Sequence, residues 1–399
     1  MKTSQFKLST IALAALATST VANADNYRHR NFIPSVVVTV KNQAAQRGAF
    51  QTPVWAGIHD GTFDLYDRDV ALGDTDANPN LISRESVERI AEDGITSAIT
   101  DEFSLLQPGA AQTTLLAPGG PLQPGSQSST TLNIDNPFVN RFFSYASMVI
   151  PSNDAFVANG NPLVHEIFDE RGRFVAENFI VAGNEVLDAG TEVNDEIASN
   201  TAFLNQAGPN IGAEENGVIT LSQGFAKPGA LPYPNGVLNH PVFANADFTA
   251  DGARTLEFGF RYVNLGGRVR LVADLSPDQE VGTELIDSKA SGRARLTARN
   301  GEQLSIRANF RGLSGTPTAA HLHLGQAGVN GPVVADLAAG LRHNSVYINV
   351  RANDVTGPLA ESDDPFLSLL NELAAGNIYV NIHTAENPGG ELRGQVSLR

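Results

Sequence analysis

Phe142–Ile150, FFSYASMVI, is the stretch that decides the fold, because residues of both parities are apolar and an amphipathic helix or half-exposed strand would alternate instead. It reads as a central sandwich strand, and Pro151 stops it. Asn153 and Asp154 follow at once, so an acidic side chain at the end of a core strand can reach a neighbouring loop. The loop that invites it is Leu187–Glu196, LDAGTEVNDE, where Asp188, Glu192, Asp195 and Glu196 crowd round Gly190. Four carboxylates so close repel one another unless a cation lies among them or water screens them. Oxygen-only ligands suit a hard cation, and calcium tolerates irregular loops better than magnesium does. Gly190 permits the turn. The competing reading is a solvated acidic loop.

Outward from these two stretches, the 399 residues exceed one ordinary core and predict two domains. Abundant Gly (37) and Pro (21) favour short strands joined by turns, hence a mainly β protein with a few short helices. Residues 1–24 read as a signal peptide: Lys2 and Lys7, an apolar run from Ile11 to Ala17, then Ala22-Asn23-Ala24 for cleavage. A short lead over 25–33 follows, and no later stretch has the length of a membrane span. An exported product, periplasmic or extracellular, is expected. Cysteine is absent, which removes disulfides and thiolate chemistry. The formal charge of −16 argues against nucleic acid, whose phosphates need a basic face.

In chain order, Ser35–Val40 and Pro53–Ile58 read as strands, and His59-Asp60 as a strand end entering a turn. Ser83 offers an N-cap to a helix with Val87, Ile90 and Ala91 on one face, closed by Gly94. Residues 107–131 read as a loop or loose hairpin, and 208–245 as irregular chain folded down on the core. Thr255–Val263 closes a first domain over 34–265, and Gly266-Gly267 opens a second over 266–399. There Val269, Leu271 and Ala273, then Ala294, Leu296 and Ala298, then Leu304, Ile306 and Ala308 alternate with polar partners. Asp364 and Pro365 start a helix bearing Phe366, Leu369, Leu370 and Leu373, and Gly376 ends it.

HDGTFDLYD (59–67), AEDG (91–94), SMVIPSNDAFV (147–157) and DAGTEVNDE (188–196) resemble the spondin N-terminal domain. The resemblance implies a C2-like β-sandwich that binds calcium at one end, with Asp154, Asp188 and Glu192 as ligands. Glu192 stands where the animal pattern has Asp. AAHLHLGQAGVNGPVV (319–334) and NIYVNIHTAENPGGELRGQV (377–396) resemble the CHRD domain of chordin-type proteins, which implies a second, Greek-key-like sandwich. The CHRD resemblance supplies no activity of its own, and the leading expectation is an exported, non-enzymatic binding or adhesion protein with a protein or glycan ligand.

His321 and His323 share one face of a strand, and His383 the polar face of another, with His343 a nearby spare. Three imidazoles can hold copper or zinc if their nitrogens converge, and the H-x-H strand with a later His is similar to the copper ligands of Cu/Zn superoxide dismutase. That sets a metal-dependent redox enzyme beside a self-associating structural protein as alternatives to the binding reading. Cross-strand bonds from the imidazoles to Tyr, Asn and Glu, without metal or redox activity, are the expectation. No G-x-S-x-G, HExxH or Walker pattern points to a hydrolase or nucleotide enzyme.

Overall fold

The computed structural model describes residues 32–229, 236–282 and 286–399. The signal peptide expected over 1–24 lies outside the described residues, as does the lead up to residue 31. Among the described residues strands take 37% and helices 14%, so the protein is mainly β, as expected. No helix among the described residues is long and apolar enough to cross a membrane.

The first half contains strands β1 Pro34–Asn42, β2 Phe50–Gln51, β3 Val54–His59, β4 Ala111–Leu115, β5 Gln127–Asn133, β6 Phe142–Ile150, β7 Ala155–Ala158, β8 Phe179–Ala182, β9 Leu187–Asp188, β10 Thr220–Leu221 and β11 Arg254–Asn264, with helices α1 Arg84–Asp93 and α2 Ser97–Leu106. One sheet runs β5-β1-β11-β8; the other runs β10-β9-β7-β6-β3-β4, with β2 also on β6. The two faces of β6 meet different neighbours. Phe143, Tyr145 and Val149 pack with Val36, Val38 and Phe258 of the opposite sheet, the Tyr145 and Phe258 rings lying 4.6 Å apart. Ala146, of the other parity, joins the cluster of Trp55 from β3 with Ile90 and Phe103 from α1 and α2. A helical layer covers that second face, which is why both parities are apolar.

Helix α2 was not foreseen, since its sequence SAITDEFSLL buries only Ile99 and Phe103 and shows little periodicity. Ser83 precedes α1 as expected, yet its hydroxyl donates to Glu102 Oε2 of α2 at 2.8 Å instead of capping the backbone. The strands of the 107–131 segment and its flank, β4 and β5, enter different sheets and are no hairpin. The irregular 208–245 segment does fold down: Val237, Leu238 and Phe243 are buried in the first-half core.

The second half contains β12 Arg268–Leu275, β13 Ser291–Arg299, β14 Gln303–Arg311, β15 Pro317–Leu324, β16 Val333–Asp336, β17 Leu341–Arg342, β18 Ser345–Val350, β19 Ile378–Thr384, β20 Leu392–Gln395 and β21 Ser397–Leu398, with helix α3 Pro365–Ala375. Its sheets run β17-β18-β14-β13-β12-β21 and β16-β15-β19-β20. The register pairs Leu271 with Leu296, Leu296 with Ile306 and Ile306 with Ile348, so one face of the larger sheet supplies a continuous core. That core also takes Ala320, Leu322, Val380 and Ile382 from the smaller sheet. Asp364 caps α3 by accepting from the Leu367 N–H at 3.0 Å, and Gly376, at φ 81°, ends it. Burying Leu369, Leu370 and Leu373 contributes about 1.5 to 3 kcal/mol each.

Among the described residues no strand of the first half pairs with a strand of the second. The halves nonetheless touch closely. Val37 of β1 and Leu265 belong to the second-half core. Thr131 Oγ1 donates to the Asn371 carbonyl at 2.8 Å, and Asn377 Nδ2 to the Ser129 carbonyl at 3.1 Å.

Candidate functional site

Three constellations stand out, one in the first half and two in the second. In the first, Asp154 follows β6 and is fully buried. Its Oδ2 accepts from the Thr191 N–H (2.8 Å), the Glu192 N–H (3.0 Å) and Thr191 Oγ1 (3.1 Å), which folds the acidic loop over it. Gly190, at φ 67°, makes this turn, and a Cβ there would meet the Val218 carbonyl at 2.7 Å. Asp154 Oδ1, Glu192 Oε2 and Glu92 Oε2 are buried without a hydrogen-bond partner. Burial, then the Asp188 charge, pushes Asp154 up to about 7. Burial, with Glu92 and Asp154 beside it, pushes Glu192 up to about 8.

Asp188 pairs with Ala155 across β9 and β7, but both its oxygens are engaged, by the Gly190 N–H at 2.9 Å and Asn194 Nδ2 at 2.7 Å. Glu92, in the AEDG stretch of α1, faces Glu192 although it lies far from it in sequence. Sequence gave no hint that α1 lies against this loop. Asp195 and Glu196 are structural ties: Asp195 accepts from the Ile197 N–H, and Glu196 from the Ala226 and Val237 N–H groups at 2.6 and 2.8 Å. The unmatched buried oxygens are of the kind a hard cation takes, but the expected ligands Asp154, Asp188 and Glu192 do not bring their oxygens together as a three-ligand group, and Asp188 is held by Gly190 and Asn194.

The second constellation lies on the polar face of the smaller second-half sheet. Here His321, His323 and His383 come together, with one ligand atom of each within 4.8 Å of the others, and they are the one such group of three among the described residues. Register explains it: β15 and β19 are adjacent and antiparallel, Ala319 facing His383 and His321 facing Asn381. The expected bonds to Tyr, Asn and Glu do not form. His321 Nδ1 lies 3.0 Å from His383 Nε2. His323 Nδ1 donates to the Gly331 carbonyl at 2.9 Å, and His383 Nδ1 to the Pro388 carbonyl at 3.0 Å. His323 Nε2 is buried with no partner. Burial lowers the pKa of all three rings, favouring neutral imidazole.

Tyr347 and Asn349 lie away from this face, because β18 belongs to the other sheet, and the spare His343 is exposed there. Loops roof the histidine face instead. Tyr379 stacks on His323 with ring centroids 4.8 Å apart, and the buried Arg393 guanidinium lies 3.5 Å from the Tyr379 ring centre on its way to the Val329 carbonyl (2.7 Å) and Asn330 Oδ1 (3.0 Å). Glu391 accepts from Ser288 Oγ, Ser314 Oγ and Thr384 Oγ1 at 2.6 to 2.7 Å.

The third constellation is the outward face of the larger second-half sheet. Its six strands carry eight arginines, Arg268, Arg270, Arg293, Arg295, Arg299, Arg307, Arg311 and Arg342, and a single acid, Asp274. All eight are exposed. Arg268 faces Arg299 and Arg295 faces Arg307 directly across strands, an arrangement that costs stability. Asp274 reaches Arg293 at 3.2 Å, and Tyr347 lies beneath the Arg307 guanidinium at 4.8 Å. Net charge concealed this face: residues 34–265 hold 28 acidic and 11 basic side chains, residues 266–399 only 14 and 12.

No curated protein matches the chain. Among solved structures, superoxide dismutase 5 of Candida albicans, as a point mutant, aligns with 33% of this chain and 92% of its own at 15% identity, with a TM-score of 0.21. The second half, with its histidine face and arginine face, is the part that a known family covers: residues 271–396 match the family model of the CHRD domain.

Proposed function

We propose that the chain is an exported, non-enzymatic binding protein whose CHRD half presents its arginine face to an acidic polysaccharide, while the half over 34–265, spondin-like by resemblance, is stiffened by calcium at Asp154, Asp188 and Glu192, with Glu92 beside them. The observation that carries the reading is the opposed arginine pairs on one open sheet face. A protein keeps uncompensated like charges side by side when a polyanion offsets them, and guanidinium forks grip carboxylate and sulfate groups in bidentate fashion. Strands about 4.8 Å apart, with same-face residues about 6.8 Å apart along each, give a charge lattice suited to a polymer bearing repeated acidic groups. Nucleic acid fits less well. Bases stack on aromatic side chains, and the sheet's outward face offers Tyr347, already covered by Arg307.

Retention of the full chain on dextran sulfate, with neutral dextran as control, tests this. Binding should weaken as salt rises, and Arg295→Ser with Arg307→Ser should weaken it about tenfold. Equal retention on neutral dextran, or an unaffected double variant, would overturn the reading. Salt-sensitive dimers that form without polymer and vanish in that variant would favour the self-associating alternative.

A further inference from the structure

We propose that His321, His323 and His383 bind one first-row transition ion, copper(II) in preference to zinc, through His321 Nδ1 and the Nε2 atoms of the other two rings. The inference is independent of the polysaccharide reading, since the histidines and the exposed arginines lie on different sheets.

Three observations carry it. One ligand nitrogen of each ring lies within 4.8 Å of the others, and His321 Nδ1 is 3.0 Å from His383 Nε2, so an ion about 2 Å from all three needs a shift of under about 1 Å. Two nitrogens that far apart, each about 2 Å from one ion, subtend roughly 95° at it, within the range for copper or zinc. Next, the far nitrogens are fixed from outside. His323 Nδ1 and His383 Nδ1 each donate to a backbone carbonyl, of Gly331 and Pro388, which sets the tautomer that leaves an Nε2 lone pair facing inward. Metal-ligating histidines are almost always held in this way. Finally, a metal-free network leaves the cluster incomplete. A proton on His321 Nδ1 satisfies His383 Nε2, but His323 Nε2 stays buried with nothing to accept. An ion engages all three lone pairs.

The proton bookkeeping is simple. On binding, the proton that His321 Nδ1 gives to His383 Nε2 leaves Nδ1, and a proton is held instead on Nε2, on the side of Asp336, the β16 residue paired with His321. No oxidant or reductant is involved. An all-imidazole donor set without thiolate selects among zinc, copper and nickel, and the affinity order across these ions peaks at copper(II).

The test uses the full chain, stripped with chelator and given one equivalent of copper sulfate, with zinc chloride as competitor. Metal analysis should find one copper per chain, and electron paramagnetic resonance should show hyperfine splitting from nitrogen ligands; this second readout needs no variant. His323→Gln, checked for folding by its melting curve, should bind about a hundredfold more weakly, and the exposed His343→Gln should bind like the parent. Zinc displacing copper at equal concentration would overturn the ion preference. Copper with oxygen ligands only, no retained copper, or unchanged binding in folded His323→Gln would overturn the site.

Discussion

The two sheets of the second half share one construction and meet opposite surroundings. In each, alternate residues feed a common core and their neighbours point away from it. On the larger sheet those neighbours include eight exposed arginines; on the smaller they include Tyr379, Asn381, His383 and Arg393, all under 9% exposed, beside the half-buried His321 and His323. Roofing by loops makes the difference. Gln326, Val329 and Asn330 close over Arg393, Pro388 over His383 and Glu280 over Asn381. Under a roof each polar atom needs a partner and each residue becomes hard to exchange, whereas in water like charges can lie opposite one another at modest cost. Alternation therefore places a polar face without saying what that face can be used for.

The sharpest way to break this contrast is to remove one arginine from each sheet. Arg393→Met should cost about 3 to 5 kcal/mol in urea unfolding, because it strands part-buried carbonyl acceptors and leaves the half-buried Glu280, which burial already pushes up to about 7 with Arg393 pulling it down, without its cation. A loss below about 1 kcal/mol would show that the roof is not a structural network.

The same distinction between covered and open polar groups extends to His59 in the first half. Burial lowers it from 6.5 to about 4, the Asp60 charge pulling weakly the other way, while Ser144 Oγ and the Gly61 N–H hold its two nitrogens. The unfolded chain takes up this proton below pH 6.5 and the folded chain only near 4. Its contribution is thus complete above about 6.5 and falls, by up to about 3 kcal/mol, as pH drops to 4. Parent and His59→Gln stabilities should converge by that amount between pH 7 and 4; a constant gap would mean that His59 titrates normally.

Calcium probes the covered acids. At a hundredfold excess over Kd it should raise stability by about 2.7 kcal/mol, and Asp154→Asn should abolish the increment. An intact increment in that variant would remove Asp154 from the ligands. The smallest effect belongs to the open face: Arg295→Met should change stability by no more than about 0.5 kcal/mol, in either direction. A loss near that of Arg393→Met would erase the contrast between the sheets.

Much of the β frame was legible because its signals are local. The alternation of β12, β13 and β14, the two-faced β6 and the caps of α3 each sit within a few residues. What escaped depended on partners distant in sequence. Glu92 matters only because α1 lies against the 187–196 loop, and Tyr347 sits beneath Arg307 only because β18 pairs with β14. The three histidines were named from their parity, but their convergence rests on the β15 and β19 register. The arginine face was hidden by summing charge over halves of unlike composition.

The seam between the halves bears on how such units can be exchanged. A gene segment cut at Gly266-Gly267 would carry away the strands of the CHRD half intact, but it would leave behind Val37, Leu265 and the β5 carbonyl that holds Asn377. The excised piece would bare the flank of α3 that Thr131 now covers. Shuffled into another protein, it would need a new neighbour with a small β-branched residue at that spot and a hydroxyl donor for Asn371. The covalent joint is thus a poorer guide to the transferable unit than the surface it leaves uncovered.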